Sequence, residues 1–119
     1  MGYYTDHTLE MKNVTTQETF NQITEWLAER GLTGYAFEDS GTYNQDTCYG
    51  CFYPYGECKW SQHDCDMRDL AAAFPTVVFK LHGDGEDFDD VWDEYYLDGK
   101  EEHLDWIIKP RTPTKIAWY

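Results

Sequence analysis

A chain of 119 residues is long enough for one hydrophobic core and too short for two ordinary domains. Apolar residues make up 41% of it and aromatic residues 18%, which is enough side-chain area to exclude global disorder. The formal net charge of −14, from 23 acidic and 9 basic residues, opposes direct binding to nucleic acid or to anionic membranes. We therefore expect a single folded domain over residues 1–119, whose negative electrostatic field favours a basic protein partner.

The N-terminal residues lack the basic and apolar regions of a secretory signal, so we expect a cytoplasmic protein. The four cysteines are then expected to be free thiols, because disulfides rarely persist in a reducing compartment. An alternative stays open, in which the cysteines hold zinc and order a tyrosine-rich segment for a partner. The candidate ligands are Cys48, Cys51, Cys58 and Cys65. The favoured interpretation has no metal and no cofactor.

The first half of the chain predicts a strand, a helix and a second strand. Alternation over residues 7–14 places Leu9 and Met11 on one face of a half-buried strand. A Thr-Thr-Gln-Glu sequence caps a helix over about 17–30, which ends before Gly31. Tyr35 and Phe37 alternate with their neighbours in a short second strand.

Residues 40–56 are predicted to be a loop-rich insertion. If Pro54 and Tyr55 form the centre of a hairpin, Cys51 faces Cys58 and a third strand ends near Trp60.

A second capping pattern at 61–64 predicts another helix, which ends at Pro75. Its apolar stripe consists of Met67, Leu70, Ala71 and Phe74. Val77, Phe79 and Leu81 then form the inward set of a strand that we place at the centre of the sheet. A Gly-Asp-Gly turn at 83–85 follows.

The segment 84–107 is predicted to be an acidic turn and a hairpin around Asp98 and Gly99, with Leu97 paired to Lys100. That register gives the hairpin two faces. The expected core face carries Val91, Tyr95, Leu97, Leu104 and Trp106. The expected acidic and aromatic face carries Trp92, Glu94, Tyr96, Glu101, His103 and Asp105. Residues 110–119 are expected to form an edge strand or a docking tail.

The order of these elements predicts a two-layer α+β sandwich. Strand, helix, strand, strand, helix, strand is the ferredoxin-like split β-α-β arrangement, here with an added C-terminal β-hairpin.

Residues 84–105 contain 11 acids and one base, Lys100. Carboxylates on one strand face form a ladder of negative charge that can imitate a nucleic-acid backbone toward an Arg- and Lys-lined groove. The predicted partner-binding residues are Asp84, Glu86, Asp87, Asp89, Asp90, Trp92, Glu94, Tyr96, Glu101, His103 and Asp105. The alternative is a solvated edge hairpin whose charges only prevent edge pairing.

No catalytic motif is visible, so we expect that the protein is not an enzyme. The four histidines fall in four different predicted elements, and no Ser or Cys has a nucleophile elbow around it. A remaining enzyme hypothesis places histidine or carboxylate chemistry in a cleft near Trp92 and His103.

The region from about residue 58 to 100 resembles a family of small proteins encoded by phages, mobile elements and some cells. The resemblance is carried by Lys59-Trp60, Asp66-Met67, Leu70, Phe74-Pro75, Phe79-Lys80-Leu81, Gly85-Glu86-Asp87, Asp90-x-Trp92, Tyr95-Tyr96 and Gly99-Lys100. That family resembles the Api92-like, ferredoxin-like phage proteins in layout, and the resemblance implies no catalytic residue. By analogy with other acidic phage proteins, we expect an anti-CRISPR or anti-restriction inhibitor. Such an inhibitor binds the basic nucleic-acid-binding surface of a host defence nuclease.

Overall fold

The computed structural model describes residues 4–85, 90–106 and 110–118. Their elements are β1 (Asp6–Lys12), α1 (Gln17–Glu29), β2 (Thr42–Asn44), β3 (Tyr49–Phe52), α2 (His63–Ala73), β4 (Val78–Asp84), β5 (Val91–Leu97) and β6 (Lys100–Asp105). The strands form one antiparallel sheet in the order β2-β3-β1-β4-β5-β6. Both helices bury their apolar stripes in one core with this sheet, which confirms the α+β class.

The middle of the sheet follows the predicted alternation. Leu9 pairs with Leu81 and Met11 with Phe79, and all four side chains are fully buried. The apolar stripe of α1, which includes Ile23, packs in the same cluster. The prediction that β4 is a central strand is confirmed.

Helix α1 begins at Gln17, as predicted, with Thr16 as its N-cap residue. The Thr16 hydroxyl accepts a hydrogen bond from the backbone N–H of Thr19, which satisfies one of the free amides of the first turn. The helix stops at Arg30, and Gly31 follows with φ of +78°. That left-handed backbone favours glycine, as the sequence predicted.

The predicted second strand at Tyr35 and Phe37 was wrong. The N–H groups of Ala36 and Phe37 both donate to the Leu32 carbonyl, so the segment forms a turn. Phe37 makes only isolated bridges, and its ring enters the core. Phe37 anchors this turn in the core. Alternation of apolar residues in the sequence does not distinguish such an anchored turn from a short strand.

The predicted hairpin around Pro54 and Tyr55 was also wrong. β3 pairs with β2 on one side and with β1 on the other, so Cys51 lies opposite Glu10. Cys58 instead forms a bridge with Thr5. The real hairpin lies inside the segment 40–56, where the Asn44 side chain accepts backbone hydrogen bonds in the turn.

Helix α2 ends near Pro75 as expected, with Phe74 as its C-cap. Its start differs from the prediction. Gln62 is the N-cap residue and makes no side-chain capping bond, so Ser61 is not the cap.

The predicted turn at 83–85 was wrong for its first two residues, because Gly83 and Asp84 belong to β4. Gly83 lies opposite Trp92, and a Cβ at this position would come within 2.2 Å of the indole ring. Glycine is needed here so that the Trp92 ring can cross the strand.

The β5–β6 hairpin has the predicted register, with Leu97 paired to Lys100, but the assignment of its faces was reversed. Because Phe79 and Leu81 pair with Tyr96 and Glu94, the face with Trp92, Glu94 and Tyr96 turns toward the helices. Trp92 and Tyr96 belong to the main core.

The opposite face of the hairpin holds a smaller apolar cluster. Tyr95 and Leu104 pack there with Ile116 from the C-terminal segment. Glu102 accepts hydrogen bonds from the backbone N–H groups of Thr114 and Lys115, which fixes that segment without forming a strand. Among the described residues, no helix is long and apolar enough to cross a membrane.

Candidate functional site

A cleft of about 650 Å³ opens between the start of α2, the start of β1 and the helix-facing side of the hairpin. Its lining residues are Thr5, His7, Lys59, Trp60, Ser61, His63, Asp90, Trp92, Glu94, His103 and Asp105. The strand register positions four of these eleven residues, because Glu94 lies opposite His103 and Trp92 opposite Asp105. Three of the four histidines therefore meet at one place.

Glu94 is the centre of the cleft. Its carboxylate lies 3.0 Å from His63 Nε2 and 2.7 Å from His103 Nδ1. The Tyr96 hydroxyl donates to it at 2.6 Å. One buried carboxylate thus joins α2, β5 and β6.

Hydrogen bonding determines the charge of His63 and His103. His103 lies between two carboxylates, since its Nε2 is 2.8 Å from Asp105. His63 Nδ1 lies 3.2 Å from the Trp60 carbonyl oxygen, while its Nε2 faces Glu94. Because every one of these partners is an acceptor, both rings donate from both nitrogens, as an imidazolium does.

The pKa shifts agree with this geometry. Burial opposes protonation of His63 and His103, but hydrogen bonds to Glu94 outweigh it and raise the pKa of each ring. Burial likewise opposes ionisation of Glu94, yet the bonds from His63 and Tyr96 lower its pKa to about 2. The cleft therefore contains a charged His-Glu-His network.

His7 differs from the other two histidines. It is buried, which lowers the pKa of its ring to about 4, and the nearby His63 acts in the same direction. Its Nδ1 lies 3.7 Å from the Cys58 sulfur. Burial raises the pKa of that thiol, so Cys58 is a poor nucleophile despite its histidine neighbour.

This arrangement leaves His63 and His103 without a free nitrogen for a general base. His63 and His103 have both nitrogens engaged, so neither has a free site to accept a proton from Ser61 or from a substrate. The network is better suited to hold the hairpin against α2.

We expect stability to be greatest between about pH 6 and 7. The pKa values of His63 and His103 are raised, so their contribution is complete below about 6.5 and is lost as pH rises through the raised values. The pKa of His7 is lowered, so its contribution is lost as pH falls from about 6.5 toward 4. Urea unfolding across this pH range measures the free energy of unfolding and so its decline on both the acid and the alkaline side.

The matched variants are His63→Gln with His103→Gln, and His7→Gln alone. The double variant should reduce the loss of stability as pH rises, and His7→Gln should reduce the loss of stability as pH falls. An unchanged alkaline slope in the double variant would contradict the assignment.

The structure separates the predicted partner-binding residues into buried and exposed groups. Trp92, Glu94 and Tyr96 are buried, and although Trp92 and Glu94 line the cleft, little of either side chain is accessible to a partner. Glu101 and His103 are exposed, but each is bound by another side chain. Asp84, Asp90 and Asp105 lie at one end of the sheet, which we call the acidic end; Asp84 and Asp105 are exposed and Asp90 is half-buried, and Asp105 also binds His103. Glu86, Asp87 and Asp89 lie outside the described residues.

The cysteines do not converge on one ion. Cys48 and Cys58 contact opposite ends of β1, a strand of seven residues that spans roughly 20 Å. Cys51 is buried in β3, while Cys65 is exposed on α2. In the described part of the chain, no group of three or more possible ligands could hold a metal. The alternative of a four-cysteine zinc site is incompatible with this arrangement.

Internal ion pairs engage several of the basic side chains. Arg30 binds Asp66 and Asp69, and Arg68 binds Asp64 and Glu101. Lys80 lies near Glu10, and Lys12 stacks over Trp118. Asp84 and Asp90 have no ion pair with any described residue, so their charge stays available at the surface.

Sequence reasoning missed the histidine network, although part of it was accessible. The hairpin register alone places His103 opposite Glu94. His63 and His7 come from α2 and β1, and only the complete sheet order brings them to the same place.

Comparison of the chain with protein-family models, curated proteins and solved structures finds no significant match. The resemblance to phage-encoded proteins therefore remains an expectation.

Proposed function

We propose that this chain is a small binding protein whose acidic end occupies the basic, nucleic-acid-binding surface of another protein. One observation carries the proposal. Asp84 and Asp90 flank residues 85–89, three of which are acidic, and have no internal counterion among the described residues. Asp105, 72% exposed, extends the same end. Clustered exposed carboxylates favour a cationic partner and oppose nucleic acid itself.

We further propose that the partner is a host defence nuclease and that the chain is a phage-type inhibitor of the anti-CRISPR or anti-restriction class. A surface that binds phosphates presents Arg and Lys side chains, and carboxylates can form bidentate pairs with arginine as phosphates do. The inhibitor then acts by excluding nucleic acid. This mechanism requires no catalytic group, which agrees with the fully engaged histidines of the cleft.

A ferredoxin-like origin of the fold is part of the same proposal. The strand order β2-β3-β1-β4, with α1 after β1 and α2 after β3, supports a split β-α-β arrangement. β5 and β6 are then an added hairpin at the β4 edge, and this addition is what creates the acidic end.

Reversing two charges at the acidic end should weaken association with the natural partner by roughly tenfold or more. The variant is Asp84→Lys with Asp90→Lys, and the measurement is the affinity for the protein recovered from the natural host. Association should also weaken as salt is raised, because exposed charges are screened.

The control is Glu25→Lys with Glu29→Lys on the exposed face of α1, which changes the net charge equally. If both variants bind as the unaltered protein does, the acidic end is not the contact surface. If both weaken equally, only net charge matters, and the proposed location is wrong.

A further inference from the structure

The large apolar side chains that are exposed in the described part of the chain are all tyrosines. Tyr4 is 54% exposed, Tyr35 41%, Tyr53 50% and Tyr55 64%. Because single exposed aromatic residues are ordinary, what matters is whether these four lie together.

Backbone pairing brings the four tyrosines to one region. Ala36, next to Tyr35, accepts a hydrogen bond from the N–H of Tyr55, and the N–H of Glu38 donates to the Tyr53 carbonyl. Thr5, which follows Tyr4, exchanges two backbone hydrogen bonds with Cys58. We call this set the tyrosine surface.

The tyrosine surface borders the cleft. The Tyr35 hydroxyl donates to the Lys59 carbonyl, and both Lys59 and Thr5 line the cleft. Asp90 and Asp105 line the same cleft. The tyrosine surface and the acidic end can therefore contact one partner together.

Exposed carboxylates lie close in the sequence to these tyrosines. Glu38, Asp39 and Glu57 are exposed and belong to the same paired segments. None of them forms an ion pair with a described residue. Aromatic rings beside unpaired carboxylates suit a planar cation, because the cation can lie over a ring while its N–H groups bind an acid.

We propose that the tyrosine surface is a second contact region, which takes arginine side chains of the basic partner. This inference rests on the proposed function, because that function supplies the cationic partner. Arginine is favoured over lysine, since a guanidinium stacks on aromatic rings and pairs with carboxylates, whereas an ammonium is a compact, strongly hydrated charge. Tyrosine serves such contacts well because it offers a large surface with little side-chain entropy to lose.

Single-stranded nucleic acid is the competing occupant, because bases also stack on tyrosines. The net charge of −14 and the three nearby carboxylates oppose it. The experiment that follows therefore also measures the affinity for single-stranded DNA.

The test compares fluorescent oligo-arginine and oligo-lysine peptides of equal length, titrated with the full chain. The unaltered protein should bind the arginine peptide about fivefold more tightly or better. Replacing Tyr4, Tyr53 and Tyr55 by alanine should abolish that preference, while Tyr35 keeps its structural hydrogen bond. Trp118→Ala is the control, since Trp118 contacts Lys12 and Tyr95 on the opposite face of the sheet.

The two proposals can fail separately. An arginine preference that survives in the triple tyrosine variant overturns the tyrosine surface. If the variant with Asp84→Lys and Asp90→Lys nevertheless binds both peptides more weakly than the unaltered protein, the proposed role of the acidic end is supported. Tighter binding of single-stranded DNA than of the arginine peptide by the unaltered protein overturns both.

Discussion

Phe79→Ala is expected to lower the free energy of unfolding by about 3 to 5 kcal/mol. The Phe79 side chain is fully buried in the central strand β4, between Met11 on β1 and Tyr96 on β5. Removing it loses transfer free energy and leaves a cavity that two fixed strands cannot close. Since small domains have only about 5 to 15 kcal/mol of stability, much of the variant should be unfolded or aggregated under mild conditions.

Urea unfolding followed by tryptophan fluorescence measures this effect. Tyr53→Ala is the control, because half of that side chain is exposed and its loss should cost only about 0.5 kcal/mol. A Phe79→Ala protein as stable as the parent would show that the sheet is not built around β4.

Glu94→Gln is expected to lower the free energy of unfolding by about 3 kcal/mol at pH 6. The substitution keeps the shape of the side chain but removes the negative charge that lies between His63 and His103. His63, which is largely buried, then has no carboxylate partner, whereas His103 keeps Asp105, and an uncompensated buried charge is strongly destabilising.

The dependence of this loss on pH separates the lost charge from altered packing. The difference between Glu94→Gln and the parent should shrink above neutral pH, because both rings lose their protons as pH passes their raised pKa values. Glu101→Gln breaks only an exposed pair with Arg68 and should cost less than about 1 kcal/mol. A loss for Glu94→Gln that is constant from pH 6 to about 9 would contradict the network.

Local patterns predicted the elements whose determinants are local. Alternation of apolar residues was sufficient for β1 and β4, and the Asp98-Gly99 turn was sufficient for the register of the last hairpin. Two of the false predictions, a strand at Tyr35 and a hairpin at Pro54, occurred where an apolar residue anchors an irregular segment to the core.

The faces of β5 could not be chosen from the sequence, because both of them are largely apolar. Tyr95 lies on one face and Trp92 and Tyr96 on the other, so periodicity alone does not distinguish them. The choice is made by β4, where the space above Gly83 admits the Trp92 ring. That pairing also turned Glu94, expected to be an exposed docking charge, into the buried centre of the cleft.

Competition for the partner between this protein and nucleic acid is the most direct test of the proposed function. The partner recovered from the natural host is loaded with labelled nucleic acid, and this protein is added at increasing concentration and at several salt concentrations. We expect complete release of the nucleic acid, weaker release at high salt, and loss of release with Asp84→Lys and Asp90→Lys but not with Glu25→Lys and Glu29→Lys. A stable ternary complex, in which the partner holds this protein and its nucleic acid together with undiminished affinity, would contradict the proposal.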